Sequence, residues 1–421
     1  MRNIFDQYSQ PENRLTHALA CCLSEDRRLL RLFIRWVTGT PVNRSSALEI
    51  IEQRIPGEFD VTDEEAERRG LPDAWIHDNE SWCLLIESKV AASLNNDQLR
   101  RHHRTALKRG FENITILAID VSTPRHKLPD GVIYRKWSDV YQWLVSQSSD
   151  SEWASRMSEY LEVAESKLSE DGYLKEGTLT VFSGIPFTDK EPYNYPEAKR
   201  ILKLAMEDLR SRKDLVRGIG MNPKGTGRGA ITGRGGDGVW DFLRLKGADN
   251  NDPFTKYPHL TFSIGRQRLF IGLVMPHNMP GAFRRNIIDL GYDDFTDYMA
   301  DVNSNLTRIL KKANGAKPWV EVVQRRYTSQ RAKPILDAQI SFDLRTAFPD
   351  TKKNPVKQQP QWLSAAYDGL ANKRSNLQIA IGMIYPYATC KEIKSRSILD
   401  HIANTWLSTK PILDVMIKGS K

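Results

Sequence analysis

Cysteine is scarce in this chain: four among 421 residues, Cys21, Cys22, Cys83 and Cys390. They form no CxxC pair, and the adjacent Cys21 and Cys22 suit neither a disulfide scaffold nor a zinc knuckle. The thiols read as core side chains of a protein kept in a reducing cytoplasm. Long apolar runs are lacking too. No stretch approaches the roughly 20 residues needed to cross a bilayer, and residues 1–10 hold no apolar signal core, so a soluble protein is expected. The absence of GxxxxGK[ST] spacing removes the nucleotide P-loop, and there is no internal repeat. Positive charge is short in one half only. Residues 1–200 hold 26 Lys+Arg against 32 Asp+Glu, a net of −6, whereas residues 201–421 hold 35 against 20, a net of +15. The whole-chain excess of +9 thus comes from the second half. A cationic surface of that size suits a polyanion, because each neutralised phosphate releases counterions. Scattered lysines that merely keep a protein soluble would give the same count.

What the chain does contain is concentrated near residue 80. Two apolar runs, Ala74-Trp75-Ile76 and Trp82-Cys83-Leu84-Leu85-Ile86, flank the turn-forming Asp78-Asn79-Glu80-Ser81. The pattern predicts a β-hairpin with Asp73 at its entrance. Side chains alternate faces along a strand, so Glu87 and Lys89 should project to one side and Ser88 to the other. One strand then delivers a carboxylate and an ammonium together, with a second carboxylate, Asp73, beside them.

That combination suits phosphodiester hydrolysis, which needs an activated water and stabilisation of negative charge on the attacked phosphate. A cation held by Asp73 and Glu87 could serve both needs. Magnesium takes hard oxygen ligands, keeps several waters and commonly uses only one or two protein carboxylates; manganese is the alternative ion. Lys89 beside two acids should stay protonated, which favours an electrostatic role over that of a general base.

Pro72-Asp73 followed by Glu87-Ser88-Lys89 resembles the signature of the PD-(D/E)XK nuclease superfamily, whose fold is restriction-endonuclease-like. Pro11-Glu12-Asn13-Arg14-Leu15 is similar to the family's first core helix, and the resemblance makes Glu12 a further acid of the site. Asn95-Asn96-Asp97-Gln98-Leu99 is similar to the helix after the catalytic strand, which puts Gln98 on the site. Residues 114–119 and 132–137 read as the next two strands, the second leading into a helix capped by Ser138. The order is helix, hairpin, helix, strand, strand, helix. One departure stands out: many relatives carry an aromatic four residues after the Gln, where this chain has His102. Each residue also has an ordinary explanation. Glu12 sits where the helix dipole favours an acid anyway, Gln98 could be a surface residue, and Glu87 with Lys89 an exposed ion pair. Glu58 and Asp60 are further acids ahead of the hairpin, and His17 and His77 read as packing or surface histidines.

The resemblance implies an α/β restriction-endonuclease-like domain, a mixed sheet flanked by helices, over residues 1–150. A helical linker is expected at 151–172, where Trp153, Met157, Leu161 and Leu168 fall at helical steps. A separate basic α+β domain is expected over 173–421, for nucleic-acid or substrate engagement. It belongs to no family that its residues reveal. Strand candidates there include 179–182, 260–264, 269–274, 319–323, 338–342 and 377–384, with helices at 196–212, 295–312 and 392–407. The glycine-rich stretch from Gly218 to Gly238 carries Lys224, Arg228 and Arg234, which could grip phosphates; a surface loop without specific function reads equally well.

The function expected is a magnesium-dependent endonuclease, a hydrolase acting on DNA before RNA, cytoplasmic, with defence against phage or foreign DNA as its setting and a partner protein in that system as one prospect. A homodimer would let two sites cut two strands. Two other readings stay open: a nucleic-acid-binding or assembly protein whose nuclease fold does not cut, and a nuclease directed at structured RNA.

Overall fold

The computed structural model describes residues 10–41, 47–53, 56, 71–124, 126–175, 177–188, 192–228, 238–277, 279–326, 328, 335–349, 356–371 and 376–419. Glu58, Asp60 and Arg234 lie outside the described residues. Contacts divide the chain into two units, Met1–Val181 and Phe182–Lys421.

The first unit begins with α1 (Pro11–Glu25) and α2 (Arg27–Thr38), followed by β1 (Glu49–Glu52), β2 (Ala74–His77), β3 (Trp82–Ser88), α3 (Asn96–Lys108), β4 (Asn113–Asp120), β5 (Val132–Lys136), α4 (Trp137–Gln147) and α5 (Glu152–Glu170). The strands form one mixed sheet in the order β1-β2-β3-β4-β5. The hairpin is antiparallel, with Ala74 opposite Ile86, whereas β3, β4 and β5 run parallel. Asn79 takes the left-handed conformation at the hairpin turn, and Asp78 Oδ1 accepts from the Glu80 and Trp82 amides to close it.

Alternation along the strands sorts this unit into two apolar layers. Ala74, Ile76, Leu84, Ile86, Leu117 and Ile119 pack on one face with α1, α2, α4 and α5, while Trp75, Cys83, Leu85 and Ile116 pack on the other with Leu99 and Ala106 of α3. Glu87 therefore belongs to the α3 face and Ser88 to the α1 face.

Three expectations need correction. Ser138 does not cap α4, which starts at Trp137, with Asp139 accepting from the Lys136 amide. The helix at Glu152–Glu170 is no linker: Ala154, Met157, Leu161, Ala164 and Leu168 lie in the same core as α1 and α4, which moves the boundary to 181/182. Residues 179–182 form no strand, because the Leu179 and Thr180 amides donate to the buried Glu165 carboxylate instead of to a sheet.

The second unit is built on a six-stranded, wholly antiparallel sheet with one large core shared by its helices. Its strands extend the expected segments by a few residues at each end and add one at Gly238–Arg244. The helix expected over 392–407 is broken, with a 3-10 turn at Lys391–Lys394 and an α-helix only from Ile398 to Ser408. No helix among the described residues is long and apolar enough to cross a membrane.

Candidate functional site

The hairpin register carries the site. The paired register ends at Ala74 opposite Ile86, which leaves Asp73 just ahead of β2 and Glu87 one residue beyond the last pair, near the end of β3. Asp73 Oδ2 accepts from the Ser88 amide at 2.7 Å, which fixes the carboxylate against that strand end. Glu87, 1 % exposed, turns toward α3, where its Oε2 accepts from His102 Nε2 at 3.0 Å; its Oε1 accepts from Lys89 Nζ at 2.5 Å. Ser88 faces the other way and bonds Thr16 of α1 at 2.7 Å.

Glu12 enters from α1, whose start is set by Pro11 at the first helical position. Its Oε1 accepts from three successive amides, Val90 at 3.3 Å, Ala91 at 2.9 Å and Ala92 at 3.2 Å, and so ties the loop after β3 to the helix. Gln98 comes from α3, whose N-cap Asn95 accepts from the Asp97 amide. Glu12, Asp73, Lys89 and Gln98 together line a cleft of about 530 Å³, with Gln53 and Arg101 also on its wall. Glu87 lies beneath this cleft, reached through Lys89.

The electrostatics follow from crowding three acids around one amine. Burial and the neighbouring Glu87 push the Asp73 carboxyl well above the usual range, against the pull of Lys89 and the Ser88 amide. Burial acts to raise Glu87 as well, but the His102 bond and Lys89 overcome it and hold Glu87 low. For Lys89 burial acts downward, and the charges of Glu87, Asp73 and Glu12 outweigh it, keeping the ammonium above its ordinary value. Glu12 is held low despite burial by its own backbone amide and by the three loop amides. The site thus contains one carboxyl that binds its proton unusually tightly, set against a carboxylate and an ammonium.

This has a consequence for stability. Asp73 has an unfolded pKa of about 3.9 and a native value pushed up to about 8. Between those values the native state binds the extra proton, so stability falls as pH rises through that window. In chelator, wild-type protein should lose about 3 to 4 kcal/mol relative to Asp73→Asn between about pH 5 and pH 8. Urea melts across that range check this; parallel curves for the two proteins contradict it.

Two residues that the strand pattern leaves unremarked complete the site. His102 closes on Glu87 from the buried face of α3. Asp120 ends β4, one place beyond the Ser88–Ile119 pair, and its carboxyl is raised by burial while Lys89 acts to lower it. Parallel pairing of β3 with β4 is what brings Asp120 close, and a single strand read alone does not reveal it. His77 is buried against Phe111 and takes no part.

In the second unit, Arg228 is occupied: its guanidinium lies 4.2 Å from the Trp240 ring centroid and donates to the Trp240 carbonyl. Lys224 is exposed on a turn closed by Asn222. The stretch leading to Arg228 is pinned, since Arg244 donates to the Thr226 carbonyl and the Arg228 amide to Asp241. At Gly227 a Cβ would sit 2.6 Å from Asp241 and 2.5 Å from Arg210, so glycine there permits close approach rather than looseness.

Set beside known proteins, the chain matches no family model and no curated protein.

Proposed function

We propose that the first unit is a metal-dependent nuclease of the PD-(D/E)XK type, acting on DNA in preference to RNA, with the basic second unit engaging the substrate. The observation that carries this reading is the meeting of Asp73 and Lys89 on the wall of an open cleft, with the Glu87 carboxylate bonded to Lys89 beneath it. The donor set suits magnesium. It offers hard carboxylate oxygens, and Asp73, raised first by burial and then by the like charge of Glu87, has a neighbour whose repulsion a cation would relieve. Asp73 and Glu87 would hold the ion, each hydrogen-bonded oxygen still having a second lone pair. When bound, magnesium supplies Lewis acidity and a more acidic water.

The chain's own groups do the rest. His102 and Lys89 hold the Glu87 carboxylate ionised and fixed in direction. Lys89, kept protonated by the surrounding acids, opposes the charge that grows on an attacked phosphate. Glu12 holds the loop of Val90, Ala91 and Ala92 as one wall, and Gln98 and Arg101 offer donors along the opposite helix. The charge of +15 on residues 201–421 supplies long-range attraction for a polyanion. Defence against foreign DNA is the setting we favour.

The test is incubation of full-length protein with plasmid, linear duplex, single-stranded DNA and RNA, in magnesium, manganese or EDTA. Metal-dependent cutting that disappears in Asp73→Ala is expected. A lack of cutting on every substrate, with nucleic acid still bound, would instead point to a binding protein on a nuclease-like scaffold.

A further inference from the structure

A second cluster of metal-ligating side chains lies outside the site described above. His17 and Cys21 stand four residues apart on α1 and so share a face of the helix. Glu52, at the end of β1, reaches the same point: its carboxylate oxygens lie 2.9 and 3.1 Å from His17 Nδ1, and Cys21 Sγ lies 3.8 Å from the same nitrogen. Among the described residues these are the only three such donors that converge within 4.8 Å of one another. Zinc binds histidine, carboxylate and thiolate at about 2.0 to 2.3 Å in a tetrahedron, which puts neighbouring ligand atoms about 3.3 to 3.6 Å apart. The observed separations bracket those edges, so small side-chain shifts would close the shell. All three residues are partly buried, neither locked in the core nor free in solvent.

The donor chemistry also separates this cluster from the carboxylate cleft. Sulfur and imidazole select zinc or cobalt over magnesium. We propose that His17 Nδ1, Cys21 Sγ and Glu52 form a zinc site with water in the fourth position. Its place gives it a role: Asn13, one turn before His17, and Gln53, next after Glu52, both line the cleft. A cation here clamps α1 to β1 and stiffens that wall. In the metal-free protein His17 is held protonated by its bonds to Cys21 and Glu52, so zinc entry displaces protons.

The test uses full-length protein stripped of metal and titrated with cobalt, then with zinc. One equivalent of cobalt should bring a thiolate-to-cobalt charge-transfer band in the near ultraviolet and the visible bands of four-coordinate cobalt, and zinc should abolish both. Cys21→Ser should remove the charge-transfer band, Glu52→Gln should weaken cobalt binding at least about tenfold, and Asp73→Ala should leave the spectrum unchanged. A featureless titration of the wild type, a charge-transfer band that survives Cys21→Ser, or a spectrum lost in Asp73→Ala each overturns the proposal. The readout is independent of cutting, so failure here leaves the nuclease reading untouched, and failure of that reading leaves this one intact.

Discussion

Lys89→Met should lower magnesium-dependent cutting by about a hundred- to a thousandfold, the usual loss when one preorganised charge donor to a transition state is removed. The residue sits where three acids meet: it donates to Glu87 at 2.5 Å and feels Asp73 and Glu12. Methionine keeps the stem and its packing and removes only the ammonium. The effect should appear in kcat while duplex binding, measured by anisotropy with calcium in place of magnesium, stays close to wild type. Binding and cutting that fall together would assign Lys89 to holding the substrate, not to the chemical step. Near wild-type cutting would remove Lys89 from the mechanism altogether.

His102→Leu should destabilise the protein by about 2 to 4 kcal/mol, because it strips one of the two side-chain hydrogen-bond partners from a buried carboxylate. Leucine is close to histidine in size, so little of the loss comes from a cavity. Equilibrium denaturation gives the number. The diagnostic is the pair with Glu87→Gln: once the charge at position 87 is gone, His102→Leu should cost far less, and the difference is the coupling energy. Additive losses would show that His102 is merely a packing residue. The same substitution should also weaken metal binding, since Glu87 would then be oriented by Lys89 alone.

Much of the site was legible in the order of residues, for a physical reason. Hairpin pairing and strand alternation are local rules, so the approach of Asp73 to the end of the strand that carries Glu87, with Lys89 beside it, follows from a few consecutive side chains and one turn. Glu12 and Gln98 meet the cleft because helix starts carry local signals too, Pro11 for one and Asn95 for the other. His102 was less accessible. Its position four residues after Gln98 marks only a departure from an aromatic, and its bond to Glu87 depends on which face of the sheet α3 covers. The Glu52 carboxylate carries no local signal, because β1 is four residues long and its register with β2 lies beyond local rules. At the end of the first unit, the failed strand at 179–182 shows the same limit: Leu179 and Thr180 have strand-like residue types, but Glu165 captures their amides through a contact that no local pattern encodes. The basic character of the second unit is plain from counting, whereas the engagement of Arg228 with Trp240 is not.

The tie between Glu12 and the loop at Val90 has a temporal side. Its ends are 78 to 80 residues apart, so a ribosome must deliver the loop long after the helix before the two can meet. The pit is therefore assembled late and from distant parts. A chain terminated just before that loop carries the helix and both acids of the hairpin, but neither the amides that hold Glu12 nor the helix that brings His102 to Glu87.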